Sequence, residues 1–207
     1  NAAVRRVLLG ENKVCGLTRE QDARAAYDAG AIYGGLIFVD SSPRVVSVEQ
    51  AREVIAAAPL SYVGVFRNAD ITDVAAKADA LSLSAVQLHG DEDQAYIDAL
   101  RTALAPQVQI WKAQSVGDTL PARNLNHVDK YVLDNGQGGT GQRFDWSLLN
   151  GEKLDNVLLA GGLSPDNCVE AAKTGCAGLD FNSGVESQPG IKDASKLASV
   201  FKTLRAY

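Results

Sequence analysis

The sequence predicts an α/β protein, a single-domain barrel of eight parallel strands each followed by a helix or connection. Three observations lead there. Short apolar runs recur at spacings of roughly 20–27 residues, the size of one strand-plus-helix unit. The runs are near-continuously apolar rather than alternating, as expected for parallel strands buried on both faces. There are eight of them, and several end on a polar or ionisable residue next to glycine, the pattern of a (β/α)8 (TIM) barrel whose chemistry sits at the strand exits. An open doubly wound sheet is the alternative. It needs a GxGxxG phosphate fingerprint at the first strand-to-helix turn, and Cys15-Gly16-Leu17-Thr18 is not one.

Taken in order, residues 1–11 have helical spacing (Val4, Val7, Leu8) ending at Gly10, and read as the tail of a preceding domain or a linker helix. Lys13–Leu17 is the first strand, after which Thr18 caps a helix through Ala23, Ala26 and Tyr27, with Gln21 completing a capping box. Gly34–Val39 is the second strand, leading into a polar loop from Asp40 to Arg44, and Ser47 starts a helix carrying Val48, Ala51, Val54 and Ile55. Tyr62–Phe66 is the third, followed by a helix through Val74, Ala78 and Leu81. Ala85–Leu88 exits on His89-Gly90, with Ile97 and Leu100 marking the next helix. Val108–Lys112 is fifth and is followed by a weakly patterned, Pro-interrupted connection. The sixth starts at Tyr131 and ends on Asp134, before a loop containing Gly136, Gly138, Gly139 and Gly141. Asn156–Ala160 is seventh, then Gly161-Gly162 and a helix capped at Ser164 with Pro165 at its first position. Ala177–Phe181 is eighth, followed by NSGVE and a last helix through Ala194, Leu197, Val200 and Phe201.

Composition narrows the function. The chain has 207 residues and a net charge of −5, which argues against nucleic acid as the main partner, although backbone amides can still bind phosphate. No apolar run approaches the ~20 residues of a membrane span. Three cysteines, an odd number without metal-like pairing, suit a reducing cytosol rather than a disulfide framework. The absence of any Met suggests a trimmed or excised segment.

At the strand exits stand Cys15, Arg44, His89 and Asp134, the pairs Gly161-Gly162 and Ser183-Gly184, and, inside the eighth strand, Asp180. Cys15 is either an inert core thiol or, beside a glycine and a cap, an activated one. His89 fits a structural or a catalytic role equally, and Arg44 is either a solvated charge or an inward carboxylate fork. Asp180 needs donors or a ligand, because an acid within a barrel strand is costly alone. Glycine-rich exits on the last two strands are where this architecture commonly binds phosphate. Cys168 and Cys176 read as structural.

The combination resembles phosphoribosylanthranilate isomerase. The likeness spans residues 12–207, and rests on KVCGLT (13–18), SPR (42–44), VGVF (63–66), VQLHG (86–90), VLDNGQGGTGQRFDW (132–146), LAGGL (159–163) and NSGVESQPGIKD (182–193). Residues 1–11 resemble the end of indole-glycerol-phosphate synthase, which implies a bifunctional protein with that domain fused N-terminally. The resemblance implies an Amadori rearrangement of N-(5-phosphoribosyl)anthranilate to 1-(2-carboxyphenylamino)-1-deoxyribulose 5-phosphate, with no cofactor. It makes Cys15 the general base and Asp134 the general acid. Arg44 then holds the anthranilate carboxylate, and amides around Gly161, Gly162, Ser183 and Gly184 hold the phosphate. His89 and Asp180 become substrate-pocket residues. For these roles the thiol should be lowered by a local field and the acid raised by burial. Asn182, Phe181 and Arg67 depart from the family pattern. A histidine-pathway aminoaldose isomerase, an enzyme serving both substrates, and a non-catalytic phospholigand-binding barrel are the alternatives.

Overall fold

The computed structural model of the chain describes residues 10–136 and 143–206. Of the expected helix at 1–11, only Gly10 and Glu11 fall within that range, and Gly138, Gly139 and Gly141 lie outside the described residues. Strands β1 (Lys13–Val14), β2 (Tyr33–Ile37), β3 (Ser61–Phe66), β4 (Ala85–Leu88), β5 (Gln109–Ser115), β6 (Lys130–Asp134), β7 (Val157–Leu159) and β8 (Gly178–Phe181) form a closed parallel barrel in sequence order. The seam is β1 against β8, with Lys13 opposite Asp180 and Val14 opposite Phe181. Helices α1 (Glu20–Ala29), α2 (Val48–Ala57), α3 (Ile71–Ala80), α4 (Gln94–Ala103), α5 (Cys168–Ala172) and α6 (Ala194–Ala206) lie along the chain between or after the strands. Between β8 and α6 runs an antiparallel hairpin, β9 (Glu186–Gln188) and β10 (Ile191–Lys192). No helix among the described residues is long and apolar enough to cross a membrane.

Two-residue alternation decides what lies inside. Tyr33, Val63, Ala85, Trp111, Ala113, Val132, Leu158 and Ala160 pack together within the barrel, with Tyr33 edge-on to Trp111 at 4.8 Å. Their neighbours Leu36, Val86, Leu88, Ile110, Leu133, Leu159 and Phe181 join the helices' Ala23, Val54, Val74, Ile97 and Phe201 in the outer core. From β2 to β7 both faces are therefore largely apolar, which explains the hydrophobic runs, whereas the seam strands β1 and β8 pair Lys13 with Asp180 inside.

Local expectations fail where tertiary contacts outcompete them. The N-cap of α1 is Arg19, which makes no side-chain cap bond. Thr18 instead donates its hydroxyl to Gly190 of the β9–β10 turn. Ser47 does cap α2, accepting from the Gln50 amide at 3.1 Å. Ser164 opens a turn rather than the helix itself: its Oγ accepts from the Asp166 amide, and α5 begins only at Cys168. The weakly patterned stretch after β5 forms no helix, and the segment at Phe144 enters a 3-10 turn, Trp146–Leu149.

The seam leaves no room at the start of β8. A Cβ on Gly178 would lie 2.2 Å from the Glu11 carbonyl oxygen, a backbone atom that cannot rotate away. Gly178→Ala should therefore destabilise the barrel by about 1–3 kcal/mol, read as a lower urea midpoint at constant slope. An unchanged midpoint would show that the seam spreads freely.

Candidate active site

Alternation on β1 points Lys13 into the barrel and carries Cys15, one residue past the strand, to the same side. The Cys15 amide donates to the Phe181 carbonyl at 2.8 Å, which extends the seam and holds the thiol against β8. Gly35 makes room for it: a Cβ there would lie 2.6 Å from the sulfur. Lys13 is wholly buried. Its Nζ donates to Asp180 Oδ2 at 2.7 Å and to Gln87 Oε1 at 3.1 Å. Burial works to strip the Lys13 proton, but the Asp180 carboxylate outweighs it and raises the ammonium's pKa. Asp180 thus finds its donor, and its second oxygen stays buried without a hydrogen-bond partner among the described residues.

Asp134 ends β6 and is buried. Its Oδ1 accepts from the Gly136 amide at 2.7 Å, and His89 Nε2 stands 3.4 Å from its Oδ2. The exit that carries His89 is fixed from below by Glu92, which accepts from the Asn68 and Gly90 amides and from Lys112 Nζ.

Arg44 points inward, as the carboxylate-fork reading requires, but its fork is not empty. Nε and Nη2 donate to Glu186 at 2.9 and 2.8 Å, a side-on bidentate pair. Glu186 also accepts from Lys192 Nζ at 2.8 Å and the Gly190 amide at 3.2 Å. Burial alone would raise the Glu186 carboxyl; the Arg44 hydrogen bonds and Lys192 charge outweigh it and hold the group below the usual carboxylate range. Sequence reasoning missed Glu186. The available signal was that a buried arginine demands a buried carboxylate, and an acid inside the GVESQPG tract was a candidate.

A cavity of about 300 Å³ opens at the carboxyl ends of the strands, lined by Cys15, Arg44, His89, Asp134, Asp180, Gly161, Gly162, Ser183 and Gly184. Every site residue expected from the sequence thus faces one space. Gly161 and Gly162 adopt φ of 92° and 67°, a region L side chains rarely reach. Gly184 packs so tightly that a Cβ would lie 1.9 Å from the Leu163 carbonyl oxygen, drawing the last two loops together. Exposed Arg67 sits at the rim. Asn182 lines the cavity and accepts from Lys192 through its Oδ1 at 3.0 Å, while Phe181 packs outward against Phe201. A larger hollow of about 600 Å³ lies at the opposite end, near Ser61, Ser84 and Gln109, with Asp79 as its one charged residue. Among the described residues no three His, Cys, Asp or Glu side chains cluster as metal ligands. Cys168 is buried and Cys176 partly so, neither on the cavity.

One expectation is corrected. Burial pushes the Cys15 thiol up, ahead of the lowering pull of the Lys13 ammonium, whereas a lowered thiol was expected. The Lys13 and Lys192 ammoniums both pull towards the thiolate, but burial, helped by the nearby Asp180 carboxylate, prevails.

A closed parallel barrel with a thiol, a carboxylic acid, an arginine and glycine turns around one carboxyl-end cavity defines a barrel enzyme of the small-molecule type. A family model described as N-(5'phosphoribosyl)anthranilate (PRA) isomerase matches residues 12–203. The tryptophan biosynthesis protein TrpCF of Salmonella typhi is 79% identical over 207 residues, covering 100% of this chain and 46% of that protein. The TrpCF of Yersinia pestis is 70% identical, covering 100% and 44%. Among solved structures, phosphoribosyl anthranilate isomerase from Thermus thermophilus superposes with a TM-score of 0.83 at 31% identity, covering 95% of this chain and 98% of that one. A phosphoribosyl anthranilate isomerase complexed with reduced 1-(o-carboxyphenylamino)-1-deoxyribulose 5-phosphate superposes at 0.79 with 29% identity, covering 96% and 100%. The chain belongs to the N-(5'-phosphoribosyl)anthranilate isomerase family, enzymes of tryptophan biosynthesis. It spans under half the length of the TrpCF proteins it matches.

With its thiol raised by burial, Cys15 in ligand-free protein should be alkylated by iodoacetamide at a rate that climbs with pH to a midpoint above the ordinary thiol value. Peptide mapping separates it from Cys168 and Cys176. A midpoint below the ordinary value would contradict the burial effect.

Proposed function

We propose that this chain converts N-(5-phosphoribosyl)anthranilate to 1-(2-carboxyphenylamino)-1-deoxyribulose 5-phosphate, with Cys15 as general base and Asp134 as general acid. The observation that carries the reading is that the thiol, from the exit of β1, and the carboxyl, from the end of β6, line one cavity together with Arg44 and the glycine turns. The carboxylic acid of Asp134 protonates the furanose ring oxygen, and the ring C–O bond breaks to leave an iminium at C1. The Cys15 thiolate removes the C2 proton and the electron pair neutralises the iminium, giving an enolamine that tautomerises to the ketone. Hydrogen moves within the sugar, so the step needs no external oxidant or reductant. Placing an acid and a base of different environments on either side of one substrate is a recurring way to run both transfers near neutrality.

The ligand named in the neighbouring complex carries a phosphate, a sugar and a ring carboxylate. Here the phosphate falls to backbone amides around Gly161, Gly162, Ser183 and Gly184, the ring carboxylate to Arg44, and the sugar hydroxyls to Asp180 and His89. The unpaired oxygen of Asp180 suits a hydroxyl donor. We further propose that the barrel, residues 12–207, is one half of a bifunctional protein in which an indole-glycerol-phosphate synthase domain precedes it and residues 1–11 join the two. The greater length of the TrpCF relatives supports this. A reducing cytosol as the place of action is consistent with its free cysteines.

The test is to add phosphoribosylanthranilate and follow the loss of its fluorescence. Cys15→Ser and Asp134→Asn should each lower kcat by at least about a hundredfold with the fold intact by circular dichroism; near-wild-type rates in both would refute the assignment. Because the base is a thiol raised by burial, kcat should increase from neutral towards alkaline pH as it ionises, and a rate flat over that range would exclude Cys15 as the base. Arg44→Ala should raise KM more than it lowers kcat, and an effect on kcat alone would contradict the clamp.

A further inference from the structure

We infer that Glu186 is a positioning residue that sets the cavity's preference for a ligand bearing a carboxylate, by gripping one edge of Arg44 and reserving the other. A guanidinium has five N–H donors and two edges that match a carboxylate, one formed by Nε with an Nη and one formed by the two Nη atoms. Glu186 occupies the first edge of Arg44, through Nε at 2.9 Å and Nη2 at 2.8 Å. The second edge keeps three N–H groups, two on Nη1 and one on Nη2. Among the described residues none of these three has a protein acceptor, and Arg44 lines the cavity.

Glu186 is suited to hold rather than to bind. It is buried and lies off the cavity lining, so it competes with no ligand. It is itself immobilised: besides Arg44 it takes Lys192 Nζ at 2.8 Å and the Gly190 amide at 3.2 Å. The hairpin behind it is pinned to the barrel flank, where the Lys192 amide donates to Asp22 at 3.0 Å. Arginine has several rotatable bonds, and an ungripped one loses that freedom each time a ligand arrives. Glu186 settles that loss in advance, so the free edge is already aligned when a planar aryl carboxylate enters.

This inference rests on the reading that Arg44 meets the ring carboxylate, and the experiment separates the two. Wild type, Arg44→Ala, Glu186→Gln and Glu186→Asp are compared by calorimetry against two inhibitors, the reduced 1-(2-carboxyphenylamino)- and 1-phenylamino-1-deoxyribulose 5-phosphates, and by kcat and KM. Glu186→Gln should weaken the carboxylated inhibitor and raise KM about tenfold, with kcat within about threefold and the phenyl inhibitor unchanged. Glu186→Asp, one methylene too short to reach both nitrogens, should lose roughly threefold in the same discrimination, and it carries the test if the Gln variant does not fold. Equal weakening of both inhibitors, or wild-type discrimination in whichever variant folds, overturns the role of Glu186. Discrimination that survives Arg44→Ala overturns the Arg44 reading instead.

Discussion

The ion pair between Lys13 and Asp180 is the contact on which the rest of the barrel depends. It lies at the closing seam, where the two-residue β1 meets β8 and the partners stand directly opposite each other. A wholly buried ammonium tolerates no slip of register, since moving β1 by one residue would leave it without its carboxylate. Buried pairs of this kind contribute little net stability compared with apolar packing, but they specify one arrangement. The same alternation that faces Lys13 inward brings Cys15 to the cavity two residues later. The register of closure therefore fixes the position of the thiol.

Around the cavity, each buried cation is paired with a carboxylate, and Arg44 and Lys192 share one. Lys13 is matched by Asp180, Arg44 and Lys192 by Glu186, and Lys112 by Glu92. Burial and the Asp180 charge outweigh the pull of the Lys13 and Lys192 ammoniums, and the Cys15 thiol is raised. The Asp180 oxygen that has no partner among the described residues keeps its capacity for a ligand.

Much of this architecture is legible in the chain. The strands stand out because both their faces are apolar, and the exits stand out because ionisable groups and glycines interrupt those runs. Ala85–Leu88 matches its expected bounds, and α2 begins after Ser47 as its cap requires. The apolar run at 13–17 overstates the first strand, which ends at Val14, although the Leu17 amide still donates to the Gly35 carbonyl at 2.9 Å. Thr18 departs from its expected cap because the helix starts one residue later, with Arg19 at the N-cap, and the Thr18 hydroxyl donates to Gly190. Lys13 and Glu186 escape notice for a common reason: single charges in a linear string look solvated, and only three-dimensional neighbours reveal that each completes a buried pair. The cavity residues can be found by position at strand exits. Their mutual wiring cannot, because it joins segments more than a hundred residues apart.

The hairpin of β9 and β10 also has a bearing on how such a barrel can change its diet. It joins Glu186, Gly190 and Lys192 in one short tract that contacts Arg44, the start of α1 and Asn182 just after β8, and the Lys192 ammonium pulls the Cys15 thiol downward. With the roles proposed above, the tract that grips the ring-binding arginine also bears on the proposed base. A descendant that traded one aromatic appendage for another by redrafting this tract and the loop before α2 would have to keep a cation where Lys192 stands.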